Sequence, residues 1–481
     1  MIVYGDFNPR LPARADGEPG TRPPVPGGRM GSLIWLRVRH IGTRRPRAAW
    51  HTAAAMIVVT YLLAAAAVVA GHRLVPMPEW LALHLLVLGA ATNAVFVWSR
   101  FFAEALLHAR PGSARPALVR LVILNAGVAA VLAGVSGGLG PLAIAGAVLV
   151  VSAVTAHVAD LVAMIRSSPL AGPLAIVAWY YVAAGAALAV GGALGGVLAA
   201  GARRSPAMDE AMTLAHAQLN LLGWLGLAII GTQFMLWPMV LRTRMTASAP
   251  RAARRVLGWT AAGLTATVAA LLASPYVAGA KWLAAAGMCA YLAGAAGSLA
   301  PAAREMQAKP PRTAPAWALL ASGAWLITAL AADTIALAAG LPQADRMLDR
   351  LLIPVLGVGV VAQVLAGALT YLLPVTVGGG PAGNRRLTAI LERGWRIRAV
   401  LGNAGVAMLV ILPGGSWTRA LAWAAVLAGF GTFPVLAGAA LVAGHARTNR
   451  PVAADGPLSS PPARLGPGGP ETGHLPDPFA H

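Results

Sequence analysis

The sequence predicts an all-α polytopic membrane protein of about twelve transmembrane helices, arranged as three pseudo-repeated four-helix units. Three observations carry this reading. The chain has 481 residues, of which 58% are hydrophobic and 11% charged, against about 25% charged in a soluble domain. Apolar stretches recur at the length of about 20 residues that a helix needs to cross roughly 30 Å of hydrocarbon. Similar phrases also return along the chain at a nearly constant interval.

Taken in order, the predicted spans lie at 49–70, 80–108, 117–136, 141–165, 174–200, 208–238, 256–274, 279–300, 314–340, 351–375, 396–413 and 418–444. Several contain Gly or Pro, which membrane helices tolerate because neighbouring groups satisfy the freed backbone. The membrane domain is thus 49–445. It lies between a basic, Pro/Gly-rich tail at 1–48 and a Pro/Gly-rich tail at 446–481 that is expected to be disordered. Residues 1–48 lack the apolar core of a cleavable signal. The single cysteine, Cys289, permits no internal disulfide and reads as a small buried hydrophobe.

A net charge of +21 raises the possibility of nucleic acid, but the basic residues sit in the loops between apolar segments. With both termini inside, the loops on the outer side hold only Arg73, Arg203, Arg204, Lys281, Arg346, Arg350 and Arg419 of the 37 Lys and Arg. The positive-inside rule then places both termini in the cytoplasm and the chain in the cell membrane, with the lipid bilayer as its partner and no nucleic acid.

Spans 3, 7 and 11 open alike, as Arg120-LVIL-Asn125-AGVA, Arg255-VLGW-Thr260-AAG and Arg398-AVLG-Asn403-AGVA, at intervals of 135 and 143 residues. Spans 6 and 10 share an ending, Gly231-TQFMLW-Pro238 and Gly367-ALTYLL-Pro374, 136 residues apart. Both intervals are those of a four-helix unit. The expected units run roughly from 49 to 166, 173 to 300 and 313 to 445.

Polar side chains inside the spans mark candidate sites, because hydrocarbon penalises them unless they are partnered. His84 and His216 follow the acidic outer ends of spans 2 and 6, Glu79 and Glu210, by five and six residues. Both therefore lie about 8–9 Å down their helices. His216, Asn220 and Gly223 share one face of span 6, with Gln218 roughly opposite, and Gly223 leaves room for a close helix or a flat cofactor. Interhelical hydrogen bonding is the plainer reading of His216 and Asn220. His157 and Asp160, at i and i+3 in span 4, form either a proton relay or a salt-bridged pair, and the salt bridge is the favoured reading. Asp333, alone in apolar span 9, points to a proton-linked or cofactor-pairing role.

The phrase that opens at His216 resembles a late helix of the nitric-oxide-reductase branch of haem–copper oxidase catalytic subunits, H-x-H-x4-G-W-x-G with a Pro near its end. His216, Gly223, Trp224, Gly226 and Pro238 carry the resemblance, and Gln218 stands where the second His would be. The chain is also similar to NnrS-like proteins, and to actinobacterial membrane proteins that occur alone or joined to multicopper oxidase domains. The resemblance implies a haem–copper oxidase subunit I-like fold. It also implies one b-type haem or copper ion held by His84 and His216, with Asn220 and Gly223 beside it. The expected role lies in redox or nitrogen-oxide physiology, with a multicopper oxidase or nitrite reductase-type protein as partner. Spans 7 and 10 contain no His, so the ligand set of a complete dioxygen or nitric oxide reductase is missing. Two other readings stand beside this one: a cofactor-free transporter using Asp333, His216 and Asn220 as a polar path, and an assembly protein on the same fold.

Overall fold

The computed structural model describes residues 30–109, 112–168, 172–201, 204–412 and 415–448, with backbone alone at 30–48, 416 and 445–448. The chain divides into two units, Met1–Arg47 and Ala48–His481, and the membrane helices lie in the second. No strand occurs among the described residues. Only helices satisfy every backbone group within a single apolar segment, so the composition and the architecture share one cause.

Among the described residues, eleven helices are long and apolar enough to cross a bilayer. They are span 1 (Ala49–Ala70), span 2 (Pro78–Leu106), span 3 (Ala114–Ser136), span 4 (Gly140–Arg166), span 5 (Ile176–Ala199) and span 6 (Pro206–Leu241). Span 7 (Ala249–Ala273), span 8 (Ala280–Ala308), span 9 (Ala314–Ala339), span 10 (Pro354–Val377) and span 12 (Trp417–Gly444) follow. Span 11 is a pair, Pro381–Leu391 and Trp395–Ile411, bent by 43°. Counting the bent pair as one span gives up to twelve, against the expected twelve. The helix that carries span 1 begins at Met30, inside the segment read as a tail, while 1–29 and 449–481 lie outside the described residues. Cys289 is exposed on the outer surface of span 8 rather than buried, a position that costs an apolar thiol nothing in a lipid-facing helix.

The openings of spans 3, 7 and 11 recur for a packing reason. Each begins a helical hairpin whose crossing needs a glycine. A Cβ on Gly127 would lie 2.9 Å from Gly146 O of span 4, one on Gly263 2.5 Å from Gly287 O of span 8, and one on Gly405 2.8 Å from Ala422 O of span 12. Small residues let helices approach in a solvent that offers no hydrophobic drive for association. The polar member of the phrase also joins helices: Asn125 exchanges amide hydrogen bonds with Asn93 of span 2 at 2.8 and 3.2 Å, and Asn403 accepts from Trp325 Nε1 of span 9 at 2.7 Å. Thr260 instead bonds its own backbone at Val256.

Spans 2, 6 and 10 are not regular α-helices. Each contains a π-helical stretch, Leu85–Ala91, Leu219–Gly226 and Pro354–Ala362, and the three stretches touch one another in pairs. Gly89, Gly223 and Gly359 occupy equivalent places in them, 134 and 136 residues apart. Each glycine is pressed by a side chain from the preceding odd-numbered span, Tyr61, Ala187 or Trp325. Wider π turns loosen the regular carbonyl pairing, and side chains make extra bonds there. Thr92 donates to Val87 O at 2.9 Å, Asn93 to Gly89 O at 2.8 Å, and Tyr291 of span 8 to Leu222 O at 2.8 Å. Trp224 Nε1 then donates to Thr92 Oγ1 at 3.0 Å, tying span 6 to span 2.

Candidate functional site

Span 6 starts with a conventional N-terminus: Ser205 Oγ accepts from Met208 N at 3.3 Å, Pro206 follows, and Asp209 sits in the first turn. The helix then presents His216, Asn220 and Gly223 to span 5. There they meet Gly195, Gly191 and Ala187 in turn. Cβ atoms on Gly195 and Gly191 would come within 2.7 Å of His216 Cε1 and Asn220 Nδ2, and one on Gly223 within 2.5 Å of Ala187 Cβ. The room beside Gly223 is therefore filled by a helix. Gly195→Val is expected to push the imidazole aside and destabilise the bundle by about 1–3 kcal/mol. Thermal unfolding of the detergent-purified variant measures that cost, and an unchanged midpoint would mean the two helices can separate freely.

His216 Nδ1 lies 2.8 Å from Gly191 O. A carbonyl only accepts, so the proton is on Nδ1 and the Nε2 lone pair is the free one. Asn220 donates to His216 O at 2.7 Å and fixes the same turn. His84 is arranged in the same way: its Nδ1 lies 2.8 Å from Trp80 O, and its ring stacks on Trp80 at 4.0 Å. The two imidazoles are carried by spans 2 and 6, whose π stretches are in contact. The π stretches set the register between their helices. His84 and Gln218 each stand immediately before one, so His84 corresponds to Gln218 and His216 is two residues further out.

Gln218 faces the other way. Its Nε2 donates to Asp333 Oδ2 of span 9 at 2.6 Å, and both side chains are buried. His216 and Asn220 bond toward span 5, so Asp333 and this pair lie on different sides of span 6 and no direct bond links them.

His157 and Asp160 also have separate partners. Buried His157 Nε2 lies 2.9 Å from Ser99 Oγ, and the ring stacks on Phe96 at 4.4 Å. Asp160 accepts from Arg100 and, at 2.9 Å, from Arg120, while Arg100 also reaches Glu104 at 3.1 Å. This is an ionic knot between spans 2, 3 and 4, and it explains the arginine that opens span 3.

Two apolar cavities of about 80 and about 440 Å³ share Ile229, Gln233 and Leu319, and neither is lined by His84 or His216. Among the described residues, no three His, Cys, Asp or Glu side chains gather as a metal-binding group. Sequence reasoning missed Thr92, Asn93 and Tyr291, which bond π-stretch carbonyls. The 134- and 136-residue spacing of Gly89, Gly223 and Gly359 was the available signal. Fold and site together define a multi-pass helical membrane protein. Compared with known proteins, the chain matches no family model and no curated sequence.

Proposed function

We propose that this chain is a redox protein of the cell membrane that holds one copper ion or one b-type haem between His84 and His216. The scaffold we propose is threefold and similar to that of haem–copper oxidase catalytic subunits and NnrS-like proteins, with both termini cytoplasmic. One observation carries the reading: two imidazoles, from the contacting spans 2 and 6, each give Nδ1–H to a backbone carbonyl, leaving Nε2 as the donor atom. Metal-binding histidines are oriented by such bonds. The threefold reading is supported by the contacting π stretches and their equally spaced glycines.

The donor set fits the group. Two neutral imidazoles, those of His84 and His216, would suit copper or a haem iron. A copper ion asks only for the two nitrogens, whereas a haem also needs space beside them. When bound, either group supplies one-electron transfer. The chain's part is to fix both rings, with Asn220 and the Gly191–Gly195 seat positioning His216. Spans 7 and 10 supply no further His, so the role we propose is electron relay or support of a copper enzyme outside the membrane, such as a multicopper oxidase or nitrite reductase-type protein. Metal analysis and a reduced-minus-oxidised spectrum of the purified protein test this. Stoichiometric copper or a b-type Soret shift is expected, and a protein free of both ends the proposal.

A second reading, a cofactor-free proton-linked permease, is favoured by one observation, the buried Asp333 carboxyl in span 9. Proton-driven uptake that Asp333→Asn abolishes in a metal-free protein would support it.

A further inference from the structure

Gln218 and Asp333 are almost sealed, at 4% and 2% exposure. One bond joins them, Gln218 Nε2 to Asp333 Oδ2 at 2.6 Å. The other oxygen of each side chain, Gln218 Oε1 and Asp333 Oδ1, is buried with no hydrogen-bond partner. Unmade bonds of this kind are rare and demand a cause. Both orphans are acceptors, so no donor is aimed at either oxygen, although the amide nitrogen carries a second hydrogen.

A single proton removes the deficit. Placed on Asp333 Oδ1, it turns that atom into a donor and leaves Gln218 Oε1 as the acceptor within the same pair. An ionised carboxylate with one donor in hydrocarbon is among the costliest arrangements a membrane protein can hold, and the neutral acid is not. A metal ion answers the geometry poorly. Hard cations take several oxygens, and the leucines three or four residues along the helices from the pair, Leu214, Leu222, Leu330 and Leu337, carry no side-chain oxygen. Span 9 packs on spans 6, 8, 10 and 11 and on the segment entering span 10. The charged groups on those elements include Lys281, Asp345, Arg346, Asp349, Arg350, Arg396 and Arg398, and the hydrogen bond to the Asp333 carboxyl comes from Gln218.

We propose that Asp333 and Gln218 form an intramembrane proton-binding site, an acid–amide pair that holds one proton at neutral pH. The step is simple protonation: Asp333 carboxylate plus a proton gives the carboxylic acid, and the acid hydrogen bonds Gln218. The glutamine thus occupies a position two residues from His216 without serving as a ligand. This site stands whether or not a redox group is bound.

Infrared spectroscopy of the full chain in lipid nanodiscs tests it. At neutral pH the wild type should show the C=O band of a protonated carboxylic acid, shifted in D2O. Asp333→Asn, which preserves shape and can still pair with the amide, should lose that band. Gln218→Leu should move it to higher frequency, because its hydrogen bond is gone. Titration of the wild-type band needs no variant and guards against misfolding: the band should persist through neutral pH and vanish only in alkali. A neutral-pH spectrum without an Asp333-dependent acid band overturns the proposal. So does an Asp333 carboxylate band that responds to exchanging sodium or potassium for choline, which would identify a bound cation instead.

Discussion

If the proposed copper or haem is held as inferred above, His84→Ala and His216→Ala are each expected to strip it from the purified protein, with affinity falling by more than the roughly 10–100-fold that loss of an orienting partner costs. The argument rests on the donor count. Two imidazoles are the whole set, since no third His, Cys, Asp or Glu joins them among the described residues. Removing either leaves a single nitrogen. The fold should survive both changes. His84 bonds within its own helix turn, and Asn220 still holds the backbone at position 216. Asn220→Leu should act differently, lowering affinity while leaving the ligands in place, because its amide positions span 6 beside His216. Metal content per chain, read with the spectrum of the reduced protein, separates these outcomes. Full occupancy in both alanine variants would place the group elsewhere.

How much of this was readable in the sequence depends on the range of the interaction involved. Hydrophobic length fixes span positions locally, so Ala49–Ala70, Ala114–Ser136 and Ala314–Ala339 fall within a few residues of their predicted bounds. Helical periodicity placed His216 and Gln218 on different faces, and they do bond to different spans, 5 and 9. Periodicity cannot say which helix each face meets. Asp333 is 115 residues from Gln218, and nothing in the intervening pattern joins them. The π stretches were invisible for a related reason. Tyr61, Ala187 and Trp325 pack against their glycines from the preceding odd-numbered span, a tertiary contact that local sequence pattern does not reveal. They also moved the alignment. Counting from the acidic helix starts matched His84 with His216 in depth, whereas counting from the π stretches matches His84 with Gln218.

Asp160→Ala is expected to be the most damaging substitution away from the histidines, costing about 3–5 kcal/mol of stability. The carboxylate is the joint acceptor for Arg100 and Arg120, whose side chains are only 16% and 12% exposed. Without it, Arg120 loses its ion-pair partner and Arg100 keeps only Glu104. Two guanidiniums, neither able to shed its charge, would then remain in a poorly solvated cleft between spans 2, 3 and 4. Were this knot an ordinary surface network, the loss would be about 0–1 kcal/mol, so the measurement decides between the two environments. Asp160→Asn should fall between, keeping an acceptor but not the charge. Pairing Asp160→Ala with Arg120→Leu should recover part of the loss, because the second change removes the charge that the first left stranded. His157→Ala should leave that coupling intact, since His157 bonds Ser99 and not Asp160. Denaturation of each variant in detergent gives the cycle. A coupling between Asp160 and Arg120 that depends on His157 would mean the histidine belongs to the ionic knot after all, and would revive a proton relay through span 4.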